Sequence, residues 1–278
     1  MILVTGATGR GGGSALAQLV DKGLPVRAVV RDPERASLPP CVDVVAGDLA
    51  DSASLGPALD GVDSVFLVWP TLAADPAAPA VIAQIAEQAR RVVYLSANGV
   101  SSSATEGILG SHAMMEGLIE ASDLEWTFLR PTGFAANTLG WAPGIRADGV
   151  VRWFHAGARR ALIHEEDIAA VGVLALTTDS LVGQRPVLTG PAAISQLEQA
   201  ETIGRAIGRP VRFEELPDDV ARRELFPGRP AAVADGLIAA HAALVTHPEV
   251  VTDTVPRLLG RPARTFADWA ADHAADFK

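Results

Sequence analysis

Three glycines, Gly6, Gly9 and Gly12, recur at every third position in Thr5-Gly6-Ala7-Thr8-Gly9-Arg10-Gly11-Gly12, directly after the apolar run Ile2–Val4 and ahead of a helix-like segment. At such a junction glycine lets the backbone turn sharply and approach a bulky anion, while the helix N-terminus offers unpaired N–H groups and the positive end of its dipole. The chemistry suited to this arrangement is capture of a dinucleotide pyrophosphate, with Gly6, Thr8, Gly9, Arg10, Gly11 and Gly12 as the cradle. The spacing is GxxGxxG rather than the commoner GxGxxG, so the flanking strand and helix carry as much of the inference as the glycines.

Two further positions follow apolar runs and fit the same ligand. Arg31 stands where an acidic residue would bind the ribose 2′-hydroxyl of NAD, and a guanidinium there favours the 2′-phosphate of NADPH, with Arg10 and Arg35 adding charge. An exposed arginine at a turn is the plain alternative. In Gly47-Asp48-Leu49, the Asp48 carboxylate suits an adenine amino group and Leu49 its apolar edge, although Asp48 equally suits a turn or a helix cap.

These residues need a scaffold that gathers strand ends. Short Val/Leu/Ile-rich runs at 2–4, 26–30, 42–46, 64–69, 92–95 and 126–129 alternate with helical patterns at 14–22, 52–59, 78–89 and 111–121. Runs without polar alternation are buried on both faces, which is the pattern of a parallel sheet covered by helices. The expected fold is therefore α/β, a doubly wound parallel sheet of the Rossmann type with a smaller C-terminal region. Ser52 and Ser111 are the expected helix caps. After Pro131 the pattern loosens into Gly, Pro and Trp, then recovers helices near 166–176, 196–207 and 231–245, a strand at 187–189 and an extended stretch at 211–216. Residues 1–150 are read as the dinucleotide-binding domain, and 151–278 as the part that completes the sheet and forms a substrate-binding subdomain.

Composition narrows the class. The 278 residues are 49% hydrophobic and carry a net charge of −10, which suits a globular enzyme and disfavours a nucleic-acid partner. A single cysteine, Cys41, excludes an internal disulfide, and no histidine spacing suggests a metal site. No apolar run approaches the length of a membrane span, and Met1 leads straight into a strand, so the expected location is cytoplasmic.

The glycine turn, Gly47-Asp48-Leu49, and Leu129-Arg130-Pro131 followed by Phe134 and Asn137 resemble the NmrA-like family of atypical short-chain dehydrogenases. The resemblance runs on through His112 to Glu116, Asp167-Ile168-Ala169, Leu188-Thr189-Gly190-Pro191 and 264–269, and so covers essentially the whole chain. It implies NADP held by the glycine loop and Arg31, adenine contact by Asp48 and a small C-terminal substrate region. Members of the family include reductases of quinones and ketones and also catalytically silent dinucleotide sensors.

Short-chain dehydrogenases usually protonate the nascent alkoxide with a tyrosine whose pKa is lowered by a lysine four residues on. This chain has one tyrosine, Tyr94, inside an expected strand, and two lysines, Lys22 and Lys278, neither placed to pair with it. Where the pair would fall, His112 and Glu116 share one helical face, either as an acid with its charged partner or as a structural pair. Asn98, after the fifth run, is a candidate carbonyl donor. Two readings follow. In the first, the chain is an NADPH-dependent reductase of an aromatic ketone or quinone, in which the proton comes from water, the substrate or His112. Met115, Phe134, Trp141 and Trp153 are its expected pocket walls, with core packing as the alternative for Phe134. In the second, it binds NADPH without turnover and reports redox state to a protein partner.

Overall fold

The computed structural model describes Met1–Lys278 throughout. In chain order the elements are β1 (Ile2–Val4), α1 (Arg10–Asp21), β2 (Val26–Val30), β3 (Asp43–Ala46), α2 (Gly56–Leu59), β4 (Ser64–Leu67), α3 (Ala78–Gln88), β5 (Arg91–Leu95), α4 (Gly107–Glu120) and β6 (Glu125–Pro131). They continue with α5 (Ala142–Asp148), β7 (Val150–Trp153), β8 (Arg159–Arg160), α6 (Glu165–Thr177), β9 (Val187–Leu188), β10 (Ile194–Ser195) and α7 (Gln196–Ile207). The last are β11 (Arg212–Glu215), α8 (Asp218–Leu225), α9 (Ala231–Thr246), α10 (Thr254–Leu259) and α11 (Phe266–Asp272).

Seven strands form one parallel sheet in the order β3-β2-β1-β4-β5-β6-β9, the doubly wound arrangement that the sequence implied. Every residue of the central strands β4 and β5 is buried, because helices cover both faces there. The edge strand β3 is half exposed. β1 pairs with both β2 and β4, so the strand order reverses at its C-terminal end, and a crevice opens where the connections diverge.

The chain divides into two units. One comprises Met1–Pro131 and Glu165–Leu188, the other Thr132–His164 and Thr189–Lys278. The division falls after Pro131 rather than at 150, and it is discontinuous because two late segments are spent on the first unit. α6 packs against α1, where Gln18 Nε2 donates to a Glu166 carboxylate oxygen at 2.7 Å, and β9 extends the sheet beside β6. The second unit has its own core around Trp141, Ile145, Val151, Phe266, Trp269 and Phe277. It also contains a parallel pair, β7 with β11, and an antiparallel pair, β8 with β10. Capping boxes at Ser195/Glu198 and Thr265/Asp268 start α7 and α11.

The two expected serine caps give way to other residues. Asp51, not Ser52, caps the short turn before α2 by accepting the Ala53 N–H. Ser111 lies one turn inside α4, where its hydroxyl donates to Asp75 Oδ1 at 2.7 Å. No helix is long and apolar enough to cross a membrane.

Candidate active site

The turn from β1 into α1 is a tight backbone knot. Gly6 adopts φ +61°, a conformation that costs glycine little, and its carbonyl accepts the Gly9 N–H at 2.9 Å. A Cβ on Gly12 would lie 2.4 Å from Gly6 O and 2.6 Å from Thr5 O, so only glycine lets α1 sit this close to its strand. α1 begins at Arg10 with Gly9 as an extended N-cap, and no side chain caps its first N–H groups. Those donors are therefore open to an anion at the positive end of the helix. The Thr5 hydroxyl donates to Val68 O at 2.9 Å and accepts the Val68 N–H at 2.7 Å, which ties the end of β1 to the end of β4.

A cavity of about 360 Å³ lies over these strand ends. That volume falls within the range of about 300–1,000 Å³ for small-molecule sites. Gly6 and Thr8 line it after β1, Arg31 after β2, and Asp48 and Leu49 after β3. Gly9, Arg10, Gly11 and Gly12 do not line the cavity. Gly11 and Gly12 are buried under the turn, whereas Gly9 and Arg10 are exposed at its rim. Asp48 also serves as a turn residue, since its Oδ1 accepts the Ala50 N–H at 2.9 Å and the Ser54 hydroxyl accepts its backbone N–H. The sequence reading missed the wall after β4, formed by Val68, Trp69 and Pro70. The apolar run 64–69 takes in Val68 and Trp69, but the strand ends at Leu67 and leaves them on the wall. A positive-φ turn, an uncapped helix end and a crevice of this size together fit a dinucleotide: Gly6 and Thr8 would hold its pyrophosphate, and Asp48 and Leu49 its adenine.

The residues nearest the usual catalytic position are interior. Tyr94 is fully buried in β5, and its hydroxyl is 2.6 Å from His112 Nδ1. Burial above all, then the charges of Glu116 and Asp75, raises the Tyr94 pKa well above its ordinary value, so it remains a phenol. His112 is 8% exposed, and burial holds its pKa below the usual value despite the opposing fields of Glu116 and Asp75. It is therefore a neutral imidazole at pH 7 rather than a charged acid. Nor does Glu116 hold it: Glu116 accepts from the Ser96 hydroxyl at 2.6 Å and from Arg130 Nε at 3.0 Å, and forms an ion pair with Arg130. The helical spacing placed the two residues on one face correctly, but a guanidinium from β6 outcompetes the imidazole for the carboxylate. Asn98 is exposed in the loop after β5, with its backbone N–H bonded to Pro131 O at 2.8 Å.

The expected aromatic and sulfur walls separate. Met115 is fully buried in the core of the first unit among Tyr94, Ile119 and Phe128, so it is packing rather than pocket wall. Its position on α4 faces the sheet, and sequence periodicity does not distinguish a core face from a ligand face. Phe134 packs against the core of the second unit. Trp141 and Trp153 do meet, edge to face with ring centroids 6.3 Å apart, and both line a small cavity of the second unit.

Comparison with known proteins is consistent with this geometry. Residues 6–179 match a protein family described as NAD(P)H-binding. Across its whole length the chain is 43% identical to the (4-alkanoyl-5-oxo-2,5-dihydrofuran-3-yl)methyl phosphate reductase of Streptomyces griseus, covering 99% of that protein. It is also 34% identical to the NAD(P)H azoreductase of Xenophilus azovorans, covering all of this chain and 99% of that one. Among solved structures, the NADPH-dependent quinone oxidoreductase QOR2 of Escherichia coli in complex with NADPH superposes with a TM-score of 0.81 at 24% identity, over 98% of this chain and 99% of that chain. A mutant of NmrA superposes with a TM-score of 0.74 at 18% identity, over 98% and 94% of the two chains.

Proposed function

Given that this chain belongs to the NAD(P)H-binding family, as an NmrA-like atypical short-chain dehydrogenase, and is an NAD(P)H-dependent oxidoreductase, we propose that it reduces a flat, conjugated small molecule, such as an aromatic ketone or a quinone, with NADPH as the preferred reductant. Bound NADPH supplies the hydride. The observation that carries the reading is the fate of the usual acid. The only tyrosine is locked in the sheet as a phenol, Lys22 ends α1 and Lys278 ends the chain, so no Tyr-Lys pair exists to protonate an alkoxide. Such a protein suits a quinone, whose reduced form spreads its charge over a conjugated system; an aromatic ketone gives a localised alkoxide, which takes its proton from water or from an acidic phenol of the substrate itself. A phenol-like product, with a pKa of about 10, leaves as an anion or takes its proton from water, whereas a simple alkoxide needs an acid at hand.

Arg31 supports NADPH over NADH, because it lines the cavity at the end of β2 and a guanidinium there suits a 2′-phosphate. Asn98 remains the candidate donor to the substrate carbonyl, and Trp141 and Trp153 offer flat apolar surface to a ligand of the second unit. The names of the two relatives point the same way: an azo bond and an acylated dihydrofuranone are both conjugated acceptors.

The test is the loss of reduced-nicotinamide absorbance with 1,4-naphthoquinone, an aromatic ketone, an azo dye and a simple aliphatic ketone. Consumption with the conjugated acceptors and not with the aliphatic ketone is expected. Tight NADPH binding with no consumption by any of them would overturn the reading in favour of a redox sensor acting through a protein partner.

A further inference from the structure

We infer that the small cavity of the second unit is an anion-binding subsite, in which Arg160 receives a phosphate or carboxylate group carried on a flat ligand. Arg160 lies on β8 and lines the cavity together with Trp141, Trp153, Gln199 and His241. Its Nε is buried and has no hydrogen-bond partner within the protein. A guanidinium has five donors, and one left unmade is costly; the side chain is 22% exposed where it lines the cavity, so an entering acceptor meets the guanidinium there, and a small turn of the group brings the covered Nε to it. The one acid beside it is Glu249, which meets Nη2 at 3.3 Å while its other oxygen accepts the Ala161 N–H at 2.8 Å. Glu249 does not line the cavity.

Three further features favour an anion. His241 is neutral, because burial lowers its pKa and the Arg160 charge lowers it further, and its Nδ1 is bonded to Leu237 O at 2.8 Å. Arg160 is therefore the only charged group on the wall. Gly133 makes room for it, since a Cβ there would lie 2.2 Å from Nη2. The size is also informative. At about 60 Å³ the cavity holds several waters, each needing about 10–15 Å³, yet it is far too small for a whole ligand. It suits one oxygen-rich substituent, with the two tryptophans flanking the ring or chain that bears it.

The assignment of that ligand as the substrate rests on the reductase function proposed above; the subsite itself does not. The test is a tryptophan-fluorescence titration of the full chain with phenyl phosphate, benzoate and benzyl alcohol. At least one of the two anions should bind about tenfold or more tighter than the neutral alcohol, and whichever binds identifies the group. Arg160→Met should abolish the preference. Gly133→Ala displaces the guanidinium without removing its charge, and should weaken anion binding about tenfold. It keeps the test decisive if Arg160→Met loses its fold once Glu249 is left unpaired. Circular dichroism and NADPH binding report integrity. Equal binding of anions and alcohol, absence of binding by either anion, or full anion affinity in a folded Gly133→Ala protein would each overturn the subsite. Binding is read without turnover. A chain that binds phenyl phosphate through Arg160 but never consumes NADPH refutes the reductase function and leaves the subsite standing.

Discussion

Replacement of Arg31 by alanine isolates the contribution of the cofactor's 2′-phosphate. Arg31 is the first residue after β2, exposed at the rim of the cavity and aligned with Asp48 and Leu49 across the neighbouring strand end. A hydrogen bond to a charged group contributes about 1.5–3 kcal/mol when sheltered. The rim is open, so the coulombic part falls toward the roughly 1 kcal/mol that two charges gain at about 4 Å in water. The net expectation is about 1–2 kcal/mol, or roughly a 5- to 30-fold loss of NADPH affinity, against a loss of less than about twofold for NADH. Nicotinamide fluorescence titrations of both cofactors on both proteins measure the ratio. The wild-type preference should also narrow as ionic strength rises toward about 1 M, where the screening length drops to about 3 Å. An Arg31→Ala protein that keeps the wild-type NADPH-to-NADH ratio, or weakens both cofactors equally, would refute the assignment.

Two further outcomes follow from the geometry. Gly12→Ala forces a methyl group against Gly6 O and Thr5 O; it should cost about 1–3 kcal/mol of stability and lower NADPH affinity more than tenfold, measured by urea denaturation and titration, and unchanged affinity would contradict the packed turn. His112 and His241 stay neutral in the fold while the unfolded chain takes up protons below about pH 6.5, so stability falls as pH drops from 7 to 5.5, by at most about 1.4 kcal/mol per pH unit for each histidine. The lowered carboxylates, Glu125 and Asp179 among them, lose their contribution only at more acid pH and do not share this window. His112→Gln should remove about half of the slope in urea midpoints, and an unchanged slope would show that His112 is already charged in the fold.

Local pattern carried much of the fold. Each apolar run of the first half became a strand of the parallel sheet, and the 196–207 helix lies where its periodicity put it, because burial on two faces and 3.6-residue spacing both leave their mark on neighbouring residues. The cradle was legible for the same reason: Gly6, Gly9 and Gly12 act on one another across a single turn. Arg31, Asp48 and Leu49 line the crevice, as strand ends read off the chain suggest, whereas the apolar run 64–69 takes in Val68 and Trp69, and only the strand's actual end at Leu67 exposes them as wall. The interior was not legible. Whether Glu116 served His112 or Arg130 depended on where β6 lay, and whether Met115 faced a ligand or a core depended on which side of α4 met the sheet. The two-part division also depended on space, since α6 and β9 lie late in the chain yet belong with its beginning. The sequence alone thus determined the sheet, the tight glycine turn and the count of one tyrosine and two lysines, which follow from neighbours along the chain or from simple composition. Only the tertiary structure decided which buried charge found which partner and left the Arg160 Nε without one, because those pairings join residues that meet only once the chain has folded.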